Sequence, residues 1–321
     1  MVTLDDIRNA RKTISDALMA TPMFSASRLG EAGGGVELFL KAESLQKTGS
    51  FKPRGALNLI RNTPKNELGR GVITISAGNH AQGVAWAAGA AGVEATIVMQ
   101  ATASPTKIAA TRGYGADVVL IDGTISEAFA ELHRLQEERG LTLIHPFDDP
   151  LLIAGHGTVG LEIVEQVPDV DVVVCPIGGG GLISGVATAV KSLKPDVRIY
   201  GIEPEGAPAM RKSWDAGSAQ QLDSVDTIAD GLAPPMVGKL NYQITREHVD
   251  DVILVDDTEI AIGIREIMTN AKLYAEPAGA AATAALLAGK APVERDETVV
   301  ALLSGGNLDI PRMLDIIGKL D

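Results

Sequence analysis

The chain has 321 residues, of which 45% are hydrophobic and 21% charged, ordinary proportions for a globular protein with a large core. Its 41 acidic against 28 basic residues give a net charge of −13, which argues against nucleic acid as a partner. One cysteine, Cys175, excludes an internal disulfide and fits a reducing, cytoplasmic setting; no signal-peptide pattern opens the chain and no apolar run reaches membrane-spanning length.

In chain order, short apolar runs alternate with helical patterns. The predicted strands are 36–42, 71–77, 95–99, 116–121, 141–145, 171–177, 197–203, 249–255 and 298–304, with helices such as 126–140 and 257–273 between them. Strands alternating with helices predict an α/β fold with parallel sheets and right-handed crossovers. Ligands in such sheets bind beyond the carboxyl ends of the strands, so the loops that follow strands are where chemistry is expected.

The first feature precedes those loops. Residues 50–60 read SFKPRGALNLI. Pro53 suits the start of a helix, and the residue before a proline is biased away from helical backbone, so Lys52 is expected as the cap just outside the helix. There the positive end of the helix dipole and the neighbouring Arg54 would both favour a neutral amine, the state a lysine needs to attack a carbonyl. Lys52 is therefore a candidate Schiff-base lysine, beside the plainer reading of a solvated lysine at a helix start.

Three loops follow. SAGNHAQG (76–83) opens a helix whose first N–H groups can bind a carboxylate, with the Asn79 amide alongside; a helix cap by Ser76 or Asn79 is the alternative. GGGGL (178–182) leaves successive N–H groups uncovered ahead of a helix, which suits a phosphate; it has neither the Walker nor the dinucleotide-binding spacing. LLSGGN (302–307) ends a strand at Ser304, whose hydroxyl could face a ring nitrogen, or the segment is a tight turn. Cys175 lies in an apolar strand and reads as core, and the five histidines show no metal-ligand spacing.

Taken together, SFKPRGA, SAGNHAQGVA, TRGYGADVVL, HPFDDP, IAGHGT, GGGGLISG, IADGLA, EPAGAAA and LLSGGN resemble, in order and over nearly the whole chain, the serine/threonine dehydratases, a group of pyridoxal-phosphate enzymes of fold type II. The resemblance implies two open, twisted, mostly parallel sheets flanked by helices. The cofactor would lie between a large domain (1–68 and 147–321) and a small mobile domain (69–146) that closes over substrate. It makes Lys52 the lysine that holds the cofactor and moves protons at the substrate Cα, with Phe51 packing beside the ring. Asn79 would bond the ring 3-hydroxyl, Gly178, Gly179, Gly180, Gly181 and Leu182 would cradle the phosphate, and Ser304 would face the pyridine nitrogen. Ser76, Ala77, Gly78, Asn79 and His80 would bind the substrate carboxylate. The cofactor phosphate is implied as the proton source for the departing hydroxide.

The activity implied is an L-threonine or L-serine ammonia-lyase giving 2-oxobutanoate or pyruvate plus ammonia, with a small β-hydroxy amino acid as substrate and a homo-oligomer, dimer or tetramer, as the working form. Serine racemization and 3-hydroxyaspartate ammonia-lyase activity are the alternatives on the same scaffold; β-replacement and a non-catalytic ligand-sensing module are more distant ones. Racemase members of the family carry a serine at the second position of the substrate loop, where this chain has Ala77. Some relatives bind a monovalent or divalent cation; the matching positions are Glu203 and the Ala207 carbonyl, while a further acidic ligand would fall at Ala209, which has none to offer. The sequence after LLSGGN carries no match to a C-terminal amino-acid-sensing domain.

Overall fold

The computed structural model describes residues 1–320; Asp321, the last residue of the expected large domain, lies outside them. Ten strands form two sheets. They are β1 (Met23–Ser25), β2 (Glu37–Ala42), β3 (Val72–Ile75), β4 (Ala95–Gln100), β5 (Asp117–Ile121), β6 (Thr142–Leu143), β7 (Val172–Pro176), β8 (Arg198–Pro204), β9 (Asp251–Val255) and β10 (Thr298–Leu303). The six-stranded sheet has the order β1-β2-β10-β7-β8-β9, and the four-stranded sheet the order β5-β4-β3-β6. All pairings are parallel except β1 with β2, where Met23 lies opposite Lys41. The fold is thus α/β, with the two mostly parallel sheets that the resemblance implies.

Each expected strand is present, usually one residue shorter at an end. The 141–145 run narrows to two paired residues because the chain turns away at His145 to reach the helix Pro150–Gln166. The antiparallel β1 was not expected: three residues, MFS, are too few to carry a period. The long 257–273 helix stops being α at Glu266 and continues as a π turn, Ile267–Ala271, ending at Lys272 with φ +59°.

The central strands of the large sheet are buried on both faces, so β7 and β10 read as continuous apolar runs rather than alternating ones. The alanine-rich helix Pro277–Leu287 is buried on every side from Pro277 to Leu286, which is why it shows no polar face. The helices Lys52–Asn62 and Pro150–Gln166 cross where only glycine fits: a Cβ on Gly155 would stand 2.4 Å from the Arg54 carbonyl oxygen.

Candidate active site

Ser50 forms an antiparallel bridge with Gly305, and the Phe51 N–H donates to the Ser304 carbonyl at 3.1 Å. The stretch leading into Lys52 is therefore fastened to the loop that follows β10. Lys52 is itself the first residue of the helix Lys52–Asn62, with Phe51 at the cap (φ −63°, ψ −19°) and Pro53 in second place. This corrects the expectation that Lys52 lies outside the helix. The pre-proline restriction is only a bias, and here the upstream backbone is held by the β10 loop while the Arg54 N–H closes a turn onto the Phe51 carbonyl at 3.1 Å.

The Lys52 amine donates to the Pro146 carbonyl at 3.0 Å and stands 5.1 Å from the centre of the Phe51 ring. Burial lowers its pKa to about 8, against the pull of Glu276 in the other direction. Arg54 does not contribute as expected, because its guanidinium is buried and bound to Glu43 and Glu162. Desolvation, rather than a second cation, is what brings this amine toward neutrality. Around it, burial holds His80, His145 and His156 below the usual imidazole range, with Lys52 adding to the effect in each. His145 Nδ1 accepts the Asp148 N–H at 2.9 Å, so its proton sits on Nε2. Phe51 packs edge-on against His156, ring centres 4.7 Å apart.

Asn79 begins the helix Asn79–Ala91, and Gly78 occupies its cap without any side-chain bond. Neither Ser76 nor Asn79 caps that helix. Ser76 Oγ instead accepts the Gly78 N–H at 3.2 Å. Asn79 is gripped from both sides: Oδ1 accepts from Asn307 Nδ2 at 2.7 Å, and Nδ2 donates to Glu276 Oε1 at 2.5 Å. An amide nitrogen carries two hydrogens, so one remains for a ligand. The buried His80 places Nε2 3.1 Å from Thr74 Oγ1 and 3.3 Å from the Ile144 carbonyl, back toward the small sheet.

The loop after β7 runs into the helix Gly181–Leu193, whose N-terminus also lacks a side-chain cap; Gly180 takes φ +94° there. Its glycines are required by what stands behind them. A Cβ on Gly179 would lie 2.2 Å from the Phe147 ring, and one on Gly180 would lie 2.8 Å from Asn241 Cβ. Asn241 Nδ2 ties the loop from behind through the carbonyls of Phe147 and Gly179, both at 2.9 Å. Leu182 is buried in the core beneath the loop. Ser304 is 3% exposed, and its hydroxyl makes only a long 3.4 Å contact to the Ala278 carbonyl.

The expected site residues thus converge, with Phe147 and Pro146 linking the glycine loop to Lys52, and Gly305 linking Ser304 to Asn79. An uncapped helix start backed by glycines, an amine with pKa near 8, an amide with one N–H to spare and a hydroxyl with spare capacity fit pyridoxal phosphate, group by group. Sequence reasoning missed Glu276, Asn307, Pro146 and Phe147. Glu276 and Phe147 lie inside EPAGAAA and HPFDDP, but nothing local says that those side chains turn inward.

Glu203 is buried. Its oxygens accept the Met210 and Arg211 N–H groups at 2.7 and 2.8 Å, and the Ala207 carbonyl accepts the Ala209 N–H at 3.0 Å. Burial pushes the Glu203 pKa up to about 8 in spite of those bonds. Among the described residues no group of three His, Cys, Asp or Glu side chains is placed to hold a metal ion.

The model of the family "Pyridoxal-phosphate dependent enzyme" matches residues 14–305. An L-threonine ammonia-lyase of Thermotoga maritima is 46% identical over 319 residues, covering 99% of this chain and 79% of that protein. Among solved structures, maize serine racemase superposes with a TM-score of 0.93 at 39% identity, covering 99% of this chain and 97% of the other. The processed threonine deaminase isoform 2 of Solanum lycopersicum gives the same TM-score and identity, covering 99% and 86%.

Proposed function

The chain belongs to the pyridoxal-phosphate dependent enzymes, and on that premise we propose that it is an ammonia-lyase of L-threonine and L-serine, releasing 2-oxobutanoate or pyruvate and ammonia. The observation that carries the reading is the Lys52 amine: lowered to about 8 by burial and bonded to the carbonyl of Pro146, whose neighbour Phe147 backs the glycine loop. The 46% identity to an L-threonine ammonia-lyase supports the choice of reaction.

Bound there, pyridoxal phosphate supplies an electron sink for the charge that develops at the substrate Cα. The chain's own groups do the rest. The N–H groups of Gly178 through Gly181, with Leu182 following, would hold the phosphate at the positive end of the helix Gly181–Leu193. The remaining Asn79 N–H would bond the ring oxygen, and Phe51 would pack beside the ring. Ser304 offers the ring nitrogen a neutral hydroxyl, which does not force that nitrogen to carry a proton as an aspartate would. N–H groups of the Ser76–His80 loop orient the substrate carboxylate. Lys52, whose pKa of about 8 leaves a share of the amine unprotonated near neutral pH, would take the Cα proton. Water is then lost across Cα–Cβ, and the enamine product hydrolyses to keto acid and ammonia.

Residues 69–146, which contain the four-stranded sheet, are the domain proposed to move over the substrate against 1–68 and 147–321. The supporting contacts bridge the two: Lys107 to Asp230 at 2.5 Å and Ser104 to Asp309 at 2.8 Å. A cation beside Glu203 is a further proposal. Its support is the match of Glu203 and Ala207 to the cation-binding segment of some relatives, and the cation would share the carboxylate with the Met210 and Arg211 N–H groups. Potassium or magnesium titration of wild type and Glu203→Gln, read as activity and melting temperature, decides it. A homo-oligomer and a cytoplasmic location complete the reading; no helix among the described residues is long and apolar enough to cross a membrane.

The test is a steady-state comparison of L-threonine, L-serine, D-serine and 3-hydroxyaspartate with keto acid as readout. Turnover of L-threonine or L-serine ahead of the other two is expected. No keto acid from either would sink the proposal.

A further inference from the structure

Glu276 has a placement that its own helix does not explain. It holds the cap position of the helix Pro277–Leu287, from which a side-chain oxygen can accept the first-turn N–H groups, yet it makes no such bond. Its Oε1 accepts instead from Asn79 at 2.5 Å, across 197 residues of sequence, and the residue is 4% exposed. Room for this contact comes from Gly305, where a Cβ would stand 2.3 Å from Glu276 Oε1 and 3.1 Å from Asn79 Nδ2.

The side-chain partner of this carboxylate is a neutral amide, an arrangement that is costly for a buried charge. The charged groups around it come from three other elements: Lys52 from the helix Lys52–Asn62, Asp230 from the turn Asp230–Leu232, and Lys107 from the helix Pro105–Gly113. Lys107 is itself bound to Asp230. Asn307 completes the set by fixing the far side of Asn79.

We propose that Glu276 is a positioning residue for the cofactor: it turns Asn79 so that the spare amide N–H faces the ligand, and its negative charge acts on the Lys52 amine across the site. The inference rests on the reading above that pyridoxal phosphate binds here. The directions of titration agree with it. Burial and the nearby Asp230 raise the Glu276 pKa to about 7, and Glu276 is the group that opposes the lowering of Lys52 by burial. Burial also holds His80, His145 and His156 below the usual imidazole range, and among the described residues Glu276 is the acidic group acting on that amine.

The test uses full-length protein stripped of cofactor, with pyridoxal phosphate as the probe. Its uptake rate is followed by absorbance from pH 6 to 10, and its affinity by fluorescence, for wild type, Glu276→Gln, Glu276→Asp and Glu276→Ala. Glutamine keeps the acceptor and removes the charge, so the midpoint of the rate profile falls by about one pH unit while affinity stays close to wild type. Aspartate restores the charge and returns the midpoint toward wild type. Alanine removes both and weakens affinity about tenfold. The titration of the probe is common to all four proteins and cancels in the comparison. A glutamine variant with the wild-type midpoint overturns the inference, even if the alanine variant fails to fold, because a merely structural carboxylate would give that result. Wild type that takes up no pyridoxal phosphate overturns the cofactor reading itself, and this inference with it.

Discussion

Arg54 grips Glu162 through two hydrogen bonds in the interior, Nη1 to Oε1 at 2.6 Å and Nη2 to Oε2 at 2.9 Å. The same guanidinium holds Glu43 through Nε and Nη2, at 2.8 and 2.9 Å, and Lys41 bonds Glu162 Oε2 at 2.6 Å. Two cations and two carboxylates therefore cancel, two residues beyond Lys52.

Removing one member leaves a buried charge without its partner. Arg54→Ala is expected to cost about 3–5 kcal/mol in urea denaturation. Arg54→Lys should recover only part, since an ammonium cannot make the planar fork to two carboxylates. Burial resists ionisation of Glu162, but Arg54 and Lys41 outweigh it and hold the pKa below the ordinary 4.5. A carboxylate depressed in the folded state lends stability that is present above 4.5 and is lost as pH falls below it. The wild-type advantage over Arg54→Ala should therefore shrink on acidification below pH 4.5; an advantage unchanged down to pH 3 would contradict the ion network.

Lys52 offers a chemical check. Borohydride reduction of the loaded protein followed by peptide mapping should find the pyridoxyl group on Lys52. Label on Lys41 or Lys47 would overturn the assignment, and the first of these is already committed to Glu162 and to the Thr21 carbonyl. Because only the neutral amine attacks an aldehyde, uptake of cofactor should slow about tenfold per pH unit below 8 and level off above it. Lys52→Ala should lose the covalent link and the elimination together.

Much of this site was legible because it is built from loops that follow strands. The nine strands expected from apolar runs were found, and the fold type places SAGN, GGGG and LLSGG at strand ends by topology alone. What was not legible depends on contacts between distant segments. Arg54 looked like a neighbour able to depress Lys52, and only the folded chain brings Glu43 and Glu162 to neutralise it. Glu276 drew no reading of its own, since nothing near EPAGAAA indicates a partner 197 positions earlier. The three residues of β1 escaped for a simpler reason: an edge strand that short has no periodicity to detect.

Ser304 is buried with its hydroxyl only loosely engaged, which leaves capacity for a ring nitrogen. Ser304→Ala should lower elimination modestly while cofactor still binds. Ser304→Asp places an anion where a neutral group stood. It should hold the ring nitrogen protonated, change the visible spectrum of the loaded protein and slow net elimination. Stopped-flow absorbance with L-serine checks it; an unchanged spectrum and rate would place Ser304 away from the ring.

Racemization and elimination are separated by the substrate loop. L-to-D conversion needs a proton donor on the face of the cofactor opposite Lys52, since one lysine serves only its own side. The family resemblance puts a serine hydroxyl of the racemases at the position held here by Ala77, whose methyl group neither gives nor takes a proton. The adjacent Ser76 has its Oγ turned back onto the Gly78 N–H of its own loop, at 3.2 Å. A positioned general acid is worth about 10²–10⁴-fold, so racemization should run at that deficit below elimination. The maize serine racemase shares this fold at a TM-score of 0.93, so the scaffold itself is no obstacle, and Ala77→Ser should raise D-serine formation while keto acid release persists. Chiral chromatography of serine during turnover decides the matter. Wild-type protein that forms D-serine as fast as pyruvate would show that Ala77 is not the determinant and would move the assignment to a racemase.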